Sequence, residues 1–504
     1  MKRSNFYLYF ILILCIIPFY YLTKDINIFN IILILYLSLI FINTLSHVSI
    51  YPLLNRYIKK NYICIKDKTF KIVLSIVSIL SLIYMFLTYI TSYYLEKVLN
   101  LTNLKILSIT VSSVILFTLI FKIISEYLII HNHKKLGNNL LNIYLIFNTI
   151  YLLTSSLILN FIKMDKNTKL IIISLSFIAS GLILLSIILI CYKNKLKNKT
   201  RITRDELKVN YYLDIKKIFK TNTYISIINV IKYAYIYISI IVSHRVLTLR
   251  YNYSTTDTTE ILTHTYFYSL LLVLLIYLIY KYKNTIALNN IKKIIESKDT
   301  DKYNIISSYY IEKISIYIPV SLITLLLSKP IYTLLFNNYK YSYALGIMNV
   351  FLVFYIIYDI TITIIHYLNK NKQLFRLIII GFIFFIISLV PIIDTSYRMG
   401  YPLIIGSIIA LILSHLLVIV LGDFYLKKHN IIVINDIEKI LVIFYKNILL
   451  SIILILLQLI IPSRLNNQLQ SLFLIIFYFS SGVIYYLLKN LVRKKSIDKK
   501  VKKC

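Results

Sequence analysis

The stretch "LLNRYIKKNYICIKDKT" at residues 53–69 is short, charged and amphipathic, and it sits between two long apolar runs. Far down the chain, "ALNNIKKIIESKDTDKYN" at residues 287–304 repeats its outline. Both run Leu-Asn, then Lys-Lys, then Lys-Asp, at similar though not identical spacing. Each follows the second long apolar run of its half of the chain. Equivalent placement in two halves is what an internally duplicated bundle of membrane-spanning helices produces.

On both sides of these segments, apolar runs of about 20 residues recur, enough to cross the roughly 30 Å hydrocarbon core as helices. The alternating pattern of an outer-membrane barrel is absent. Broken at their charged interruptions, the runs give fourteen expected spans: 5–23, 28–50, 71–95, 104–130, 140–163, 168–192, 222–246, 260–281, 306–336, 341–368, 374–395, 401–426, 439–462 and 468–489. The 504 residues are 59% apolar and only 15% charged, outside the range of soluble domains. The expected fold class is therefore an all-α integral membrane protein of about 14 transmembrane helices: two pseudo-symmetric six-helix lobes plus two C-terminal helices. The expected boundaries are a first lobe over 1–192, a basic cytoplasmic linker over 193–221, a second lobe over 222–426, and two extra helices with a basic cytoplasmic tail over 427–504.

A net charge of +36 would suggest nucleic acid for a soluble chain, but here the lysines crowd into short loops between spans. They read as topology signals and anionic-lipid contacts, with no nucleic-acid partner. Basic loops alternate with sparsely charged ones, which is consistent with an even span number and both termini cytoplasmic. The most basic loop, "YKNKLKNKTRITRDELKVNYYLDIKKIFKTN" at 192–222, reads as a solvated linker between the lobes. Lys2 and Arg3 precede an apolar run from Phe6 to Leu22 that lacks a small-residue cleavage site, so the run is kept as the first span. Cys15, Cys64, Cys191 and Cys504 show no metal-ligand or disulfide spacing, and no cofactor or metal is expected.

From Val242 to Ile393 the chain resembles the multidrug/oligosaccharidyl-lipid/polysaccharide flippase superfamily, and within it the stage V sporulation protein B and lipid II flippase branch. "SHRVLTLRYNYSTTDTTEILTHTYFYSLLL" (243–272) looks like that family's seventh-span exit. "IPVSLITLLLSKPIYTLLFNNY" (318–339), with Pro319 and Pro330, is similar to its ninth span, and "HYLNKNK" (366–372) to the polar turn after its tenth. In the first half, "LSHVSIYPLLNRYIKKN" (45–61) looks like the proline-containing end of its second span. Asn337 stands where the family usually places Gly. The Gly-rich first loop is missing, and the first-lobe arginines transfer only as far as Arg56. The resemblance implies a MATE-like fold, alternating access, a lipid-linked glycan or peptidoglycan precursor as substrate, and envelope-synthesis enzymes as partners in cell-wall, polysaccharide or sporulation programmes.

Ionisable side chains inside spans are costly and are the default functional candidates. In the seventh span Asn229, Lys232, Tyr235, Ser239 and Ser243 fall on one helical face, and Lys232 is suited to meet a substrate phosphate as a point charge. Snorkelling or a carboxylate partner is the alternative. Thr118, Lys122 and Glu126 stand four apart in the fourth span, so Lys122 can join the substrate set, or pair with Glu126 along the helix. Tyr355, Asp359, Thr363 and His366 share a face of the tenth span. Asp359, Glu126 and His366 form the coupling-ion candidates, with a helix-to-helix hydrogen bond the other reading of Asp359. Arg56 and Arg245 would flank the two mouths of a central cavity. No DxD pair, HExxH motif or phosphate-cradling glycine loop is present, so a transporter is expected rather than an enzyme. The competing readings are a cation-coupled drug antiporter of the same superfamily and a non-transporting scaffold in envelope synthesis.

Overall fold

The computed structural model describes residues 28–45, 48–60, 62–101, 104–131, 133–162, 178–188, 210–220, 223–270, 323–336, 339–368 and 370–428, together with isolated positions elsewhere. The first and thirteenth expected spans and the segment at 287–304 lie outside the described residues, as do most of the ninth and fourteenth and the last part of the eighth. No described residue is in a strand. Helices long and apolar enough to cross a membrane are described in Cys64–Leu99, in Thr223–Arg250 within the stretch Tyr211–Arg250, and in Ser342–His366, Asn371–Arg398 and Ile404–Leu426. The chain is an all-α, multi-pass integral membrane protein, and it divides into two compact units, Met1–Thr259 and Glu260–Cys504.

In the first unit, α1 (Ile28–Leu45) stops five residues before the expected end of the second span. Residues 48–50 carry no regular structure, and α2 (Tyr51–Lys59) then starts with Pro52 in its first turn, where a missing N–H costs nothing. Next, α3 (Ile63–Leu99) begins well ahead of the expected 71, absorbing the charged "ICIKDKT" into its first turns, and ends at Asn100 in the left-handed conformation, φ +52°. The fourth span is found at its expected bounds as α4 (Leu104–Ile130), followed by α5 (Lys134–Phe161) and α6 (Ile178–Ile188). The central helix is α4, which packs against α1, α2, α3 and α5. On the far side of α3, Ile79, Leu82, Ile83, Phe86 and Leu87 are exposed at helical spacing. A solvent-facing helix would not carry such a stripe, and lipid tails are its natural neighbours.

The basic linker is not wholly solvated, which corrects the sequence reading. Its last third folds as α7 (Tyr211–Lys220), which buries Ile215 and Ile218 against α3 and the α2 region while Lys216, Lys217 and Lys220 stay exposed. The alternation Ile-Lys-Lys-Ile is what makes one face stick. Then α8 (Thr223–Arg250), the seventh span, runs antiparallel along α1 within this unit. Ser226 donates to the backbone oxygens of Asn43 (2.6 Å) and Thr44 (2.8 Å) at one end, and His244 stacks on Phe29 at the other.

The second unit begins within α9 (Thr255–Thr263), which passes into a π-helical turn, His264–Ser269. In this wider turn the His264 carbonyl accepts from Ser269 Oγ (2.9 Å) and Tyr332 Oη (2.9 Å). Tyr332 lies on α10 (Ser328–Phe336), and α11 (Ser342–Tyr367), α12 (Asn371–Arg398) and α13 (Leu403–Lys428) complete the described part. The α12–α13 hairpin closes tightly at Gly406, where an added Cβ would meet Ile393 Cα at 2.6 Å. Small residues let membrane helices approach in this way.

Candidate functional site

The most developed polar arrangement in the first unit is built on the break between α1 and α2. A helix ending inside apolar surroundings leaves carbonyls without partners, and one beginning there leaves amides without partners. Ile50, at the N-cap of α2, has no side chain with which to satisfy those amides. Two residues one turn apart on α4 supply what is missing. Glu126 Oε2 accepts from the backbone N–H of Ile50 (2.7 Å) and Tyr51 (3.1 Å) and from Ser49 Oγ (3.1 Å). Lys122 Nζ donates to the Val48 carbonyl at 2.8 Å. A carboxylate facing a helix start and an ammonium facing a free carbonyl are both the favourable choice. Glu126 is 1% exposed, and its Oε1 has no hydrogen-bond partner among the described residues.

This clamp changes the reading of Lys122 and Glu126. Spacing suggested a pair along one helix, and the two charges do act on each other; both side chains also reach across to the backbone of another segment. Ser226 on α8 ties to the last turn of α1 just before the break, so the polar stripe of the seventh span starts beside it. Along that stripe Asn229 and Lys232 are half-buried, while Tyr235, Ser239 and Ser243 are buried. Lys232 lies about 9 Å beyond Ser226 at the helical rise. Two span lysines thus stand on two helices that both bond to the end of α1. Arg245 is half-buried further along α8, and Arg56 is exposed on α2 beside Lys59 and Lys60.

The three coupling-ion candidates are split between the units. Glu126 belongs to the clamp. Asp359 is half-buried on α11, where its backbone carbonyl accepts from Thr363 Oγ1 at 2.6 Å. His366 lies about 10 Å further along the same helix, and its Nδ1 pairs with Asn371 Oδ1 at 2.7 Å in the turn to α12. A buried histidine packed on the same helix was not singled out from sequence. His415 on α13 is buried among Phe351, Tyr355 and Tyr358, with ring centroids 5.3, 5.8 and 4.4 Å away, and its Nδ1 bonds the Leu411 carbonyl at 2.7 Å. A histidine in the middle of the apolar run 403–426 was the available signal.

Around α2 the first unit carries a second polar network. Tyr57 donates to Asp214 on α7 at 2.9 Å, and Tyr127 donates to Asp67 at 2.7 Å. Burial first, and then the Asp214 carboxylate, push the Tyr57 phenol well above its ordinary range, so it remains a donor at neutral pH. Lys66, beside Asp67 at 3.5 Å, is almost fully buried. Among the described residues, no group of three or more His, Cys, Asp or Glu is placed to hold a metal ion.

No protein-family model matches the chain, and no curated protein matches it. Among solved structures, one described as lipid II flippase MurJ in an inward closed conformation is similar over 99% of this chain and 100% of its own, with a TM-score of 0.63 and 17% sequence identity. The two share a fold from end to end at very low identity.

Proposed function

We propose that this chain is a flippase for a lipid-linked, anionic glycan precursor, moving it across the cytoplasmic membrane by alternating access. The observation that carries the reading is the end of α1, where Lys122 bonds the backbone between α1 and α2 and a second span lysine, Lys232, stands nearby on a helix tied to the same end. Discontinuous helices with charges beside them are where transporters of this kind place their sites. A polyprenyl pyrophosphate offers the two negative charges that such a place would attract, while its tail stays in the bilayer. The full-length likeness in fold to a lipid II flippase supports this substrate class. The exact glycan belongs to the proposal only as a peptidoglycan or surface-polysaccharide precursor, acting with envelope-synthesis enzymes. Both termini would be cytoplasmic, which puts α2 and α7 on the donor side.

Binding tests the reading directly. The purified chain, examined by native mass spectrometry with a polyprenyl-pyrophosphate-linked sugar and with its dephosphorylated counterpart, should retain the first and not the second. Lys232→Glu should lose roughly tenfold or more in affinity, the size of one charge-assisted contact. Equal retention of both lipids, or full affinity in Lys232→Glu, would contradict it.

A further inference from the structure

The α1–α8 seam holds a titratable ring that the clamp does not use. His244 is 1% exposed and stacks on Phe29, with ring centroids 5.5 Å apart. Among the described residues neither its Nδ1 nor its Nε2 has a hydrogen-bond partner. Buried polar groups are nearly always paired, and one that is not calls for a physical reason. Its neighbour Ser243 is 2% exposed with an equally unpaired Oγ, and Ser38 on α1 repeats the pattern at 3%. If packing were all that mattered, a phenylalanine would stack on Phe29 without the cost of the two nitrogens.

Charge in the seam is one-sided. On α8 itself Arg245 is the charged neighbour, and α1, the described helix packed on this face, has no Asp, Glu, Lys, Arg or His between Ile28 and Leu45. An imidazolium formed here finds no counter-charge on α1 and an adjacent guanidinium on α8. The closed seam therefore accommodates the neutral ring and not the charged one.

We propose that His244 is a proton-binding site that sets whether the Phe29–His244 end of the α1–α8 seam is closed. A proton taken from the aqueous phase by a ring nitrogen turns imidazole into imidazolium and parts the helices toward water. Its return to the aqueous phase lets Phe29 and His244 stack again. The seam lies about 9 Å from the Arg250 end of α8, close enough for such an opening to reach solvent. This assignment rests on the seam and not on the transported lipid, so it stands or falls separately from the flippase reading.

Hydrogen–deuterium exchange of the full chain in lipid nanodiscs, corrected for the intrinsic pH dependence of amide exchange, tests it. From about pH 8 down to about pH 5, the range in which histidine titrates, opening of the α8 amides around residues 238–249 should rise roughly tenfold. The α12 amides serve as the internal reference and should not respond. His244→Phe keeps the ring and its stacking, and His244→Gln keeps a polar group; both should flatten the response. A flat native profile, or an undiminished response in either folded variant, overturns the proposal.

Discussion

At the break between α1 and α2, a carboxylate on another helix replaces the capping side chain that Ile50 cannot supply, and a lysine one turn away holds the carbonyl at Val48. Glu126→Ala leaves the Ile50 and Tyr51 amides without an acceptor and should lower stability by about 1.5–3 kcal/mol, the range for hydrogen bonds to a charged group. Glu126→Gln, which keeps one acceptor oxygen, should lose less. Thermal unfolding in detergent, with exchange protection read at Ile50 and Tyr51, checks both. If Ala and Gln were indistinguishable from the native chain, the clamp would carry no weight. The candidates themselves were legible in sequence, because charged residues inside an apolar run stand out. Their targets were not. A four-residue spacing serves a pair along one helix as well as a joint reach to a neighbour, and Pro52 in "SHVSIYP" marks a helix boundary without saying which side chains close it.

At the scale of elements, the helices whose ends coincide with charge, such as α4, are found where hydropathy places them. The start of α3 was misplaced because Lys66, Asp67 and Lys68 look like a loop. In the fold Lys66 is buried and Asp67 accepts from Tyr127, so the charges are absorbed by tertiary partners that no local pattern reveals. The same holds for α7, whose anchoring depends on Tyr57 and Asp214, far apart in sequence. Tyr57→Phe should cost about 1 kcal/mol, and limited proteolysis should then cut faster around Lys216, Lys217 and Lys220. Unchanged cleavage would mean that Ile215 and Ile218 alone hold the helix. Gly406→Ala presses a methyl group onto the α12 backbone, which cannot rotate away as a side chain would, and should cost about 1–3 kcal/mol. A melting temperature equal to that of the native chain would show that the hairpin relaxes.

For the molecule as a whole, composition and span-length apolar runs already point to a helical membrane protein, and the resemblance found over 242–393 points to the fold that the full-length structural likeness supports. The polar clamp between α1 and α2 and the split of the coupling-ion candidates between two units were beyond that reading, since both depend on which helices meet. The proposed activity gathers around one place, the end of α1 with Lys122 and Lys232. The most direct measurement is flipping in proteoliposomes of a fluorescent polyprenyl-pyrophosphate glycolipid, comparing the native chain with Lys232→Glu and Asp359→Asn. Flipping by the native chain that falls about tenfold or more in Lys232→Glu, with a smaller change in Asp359→Asn, is the predicted result. No flipping by the folded native chain across several glycolipids, or full activity in Lys232→Glu, would contradict it.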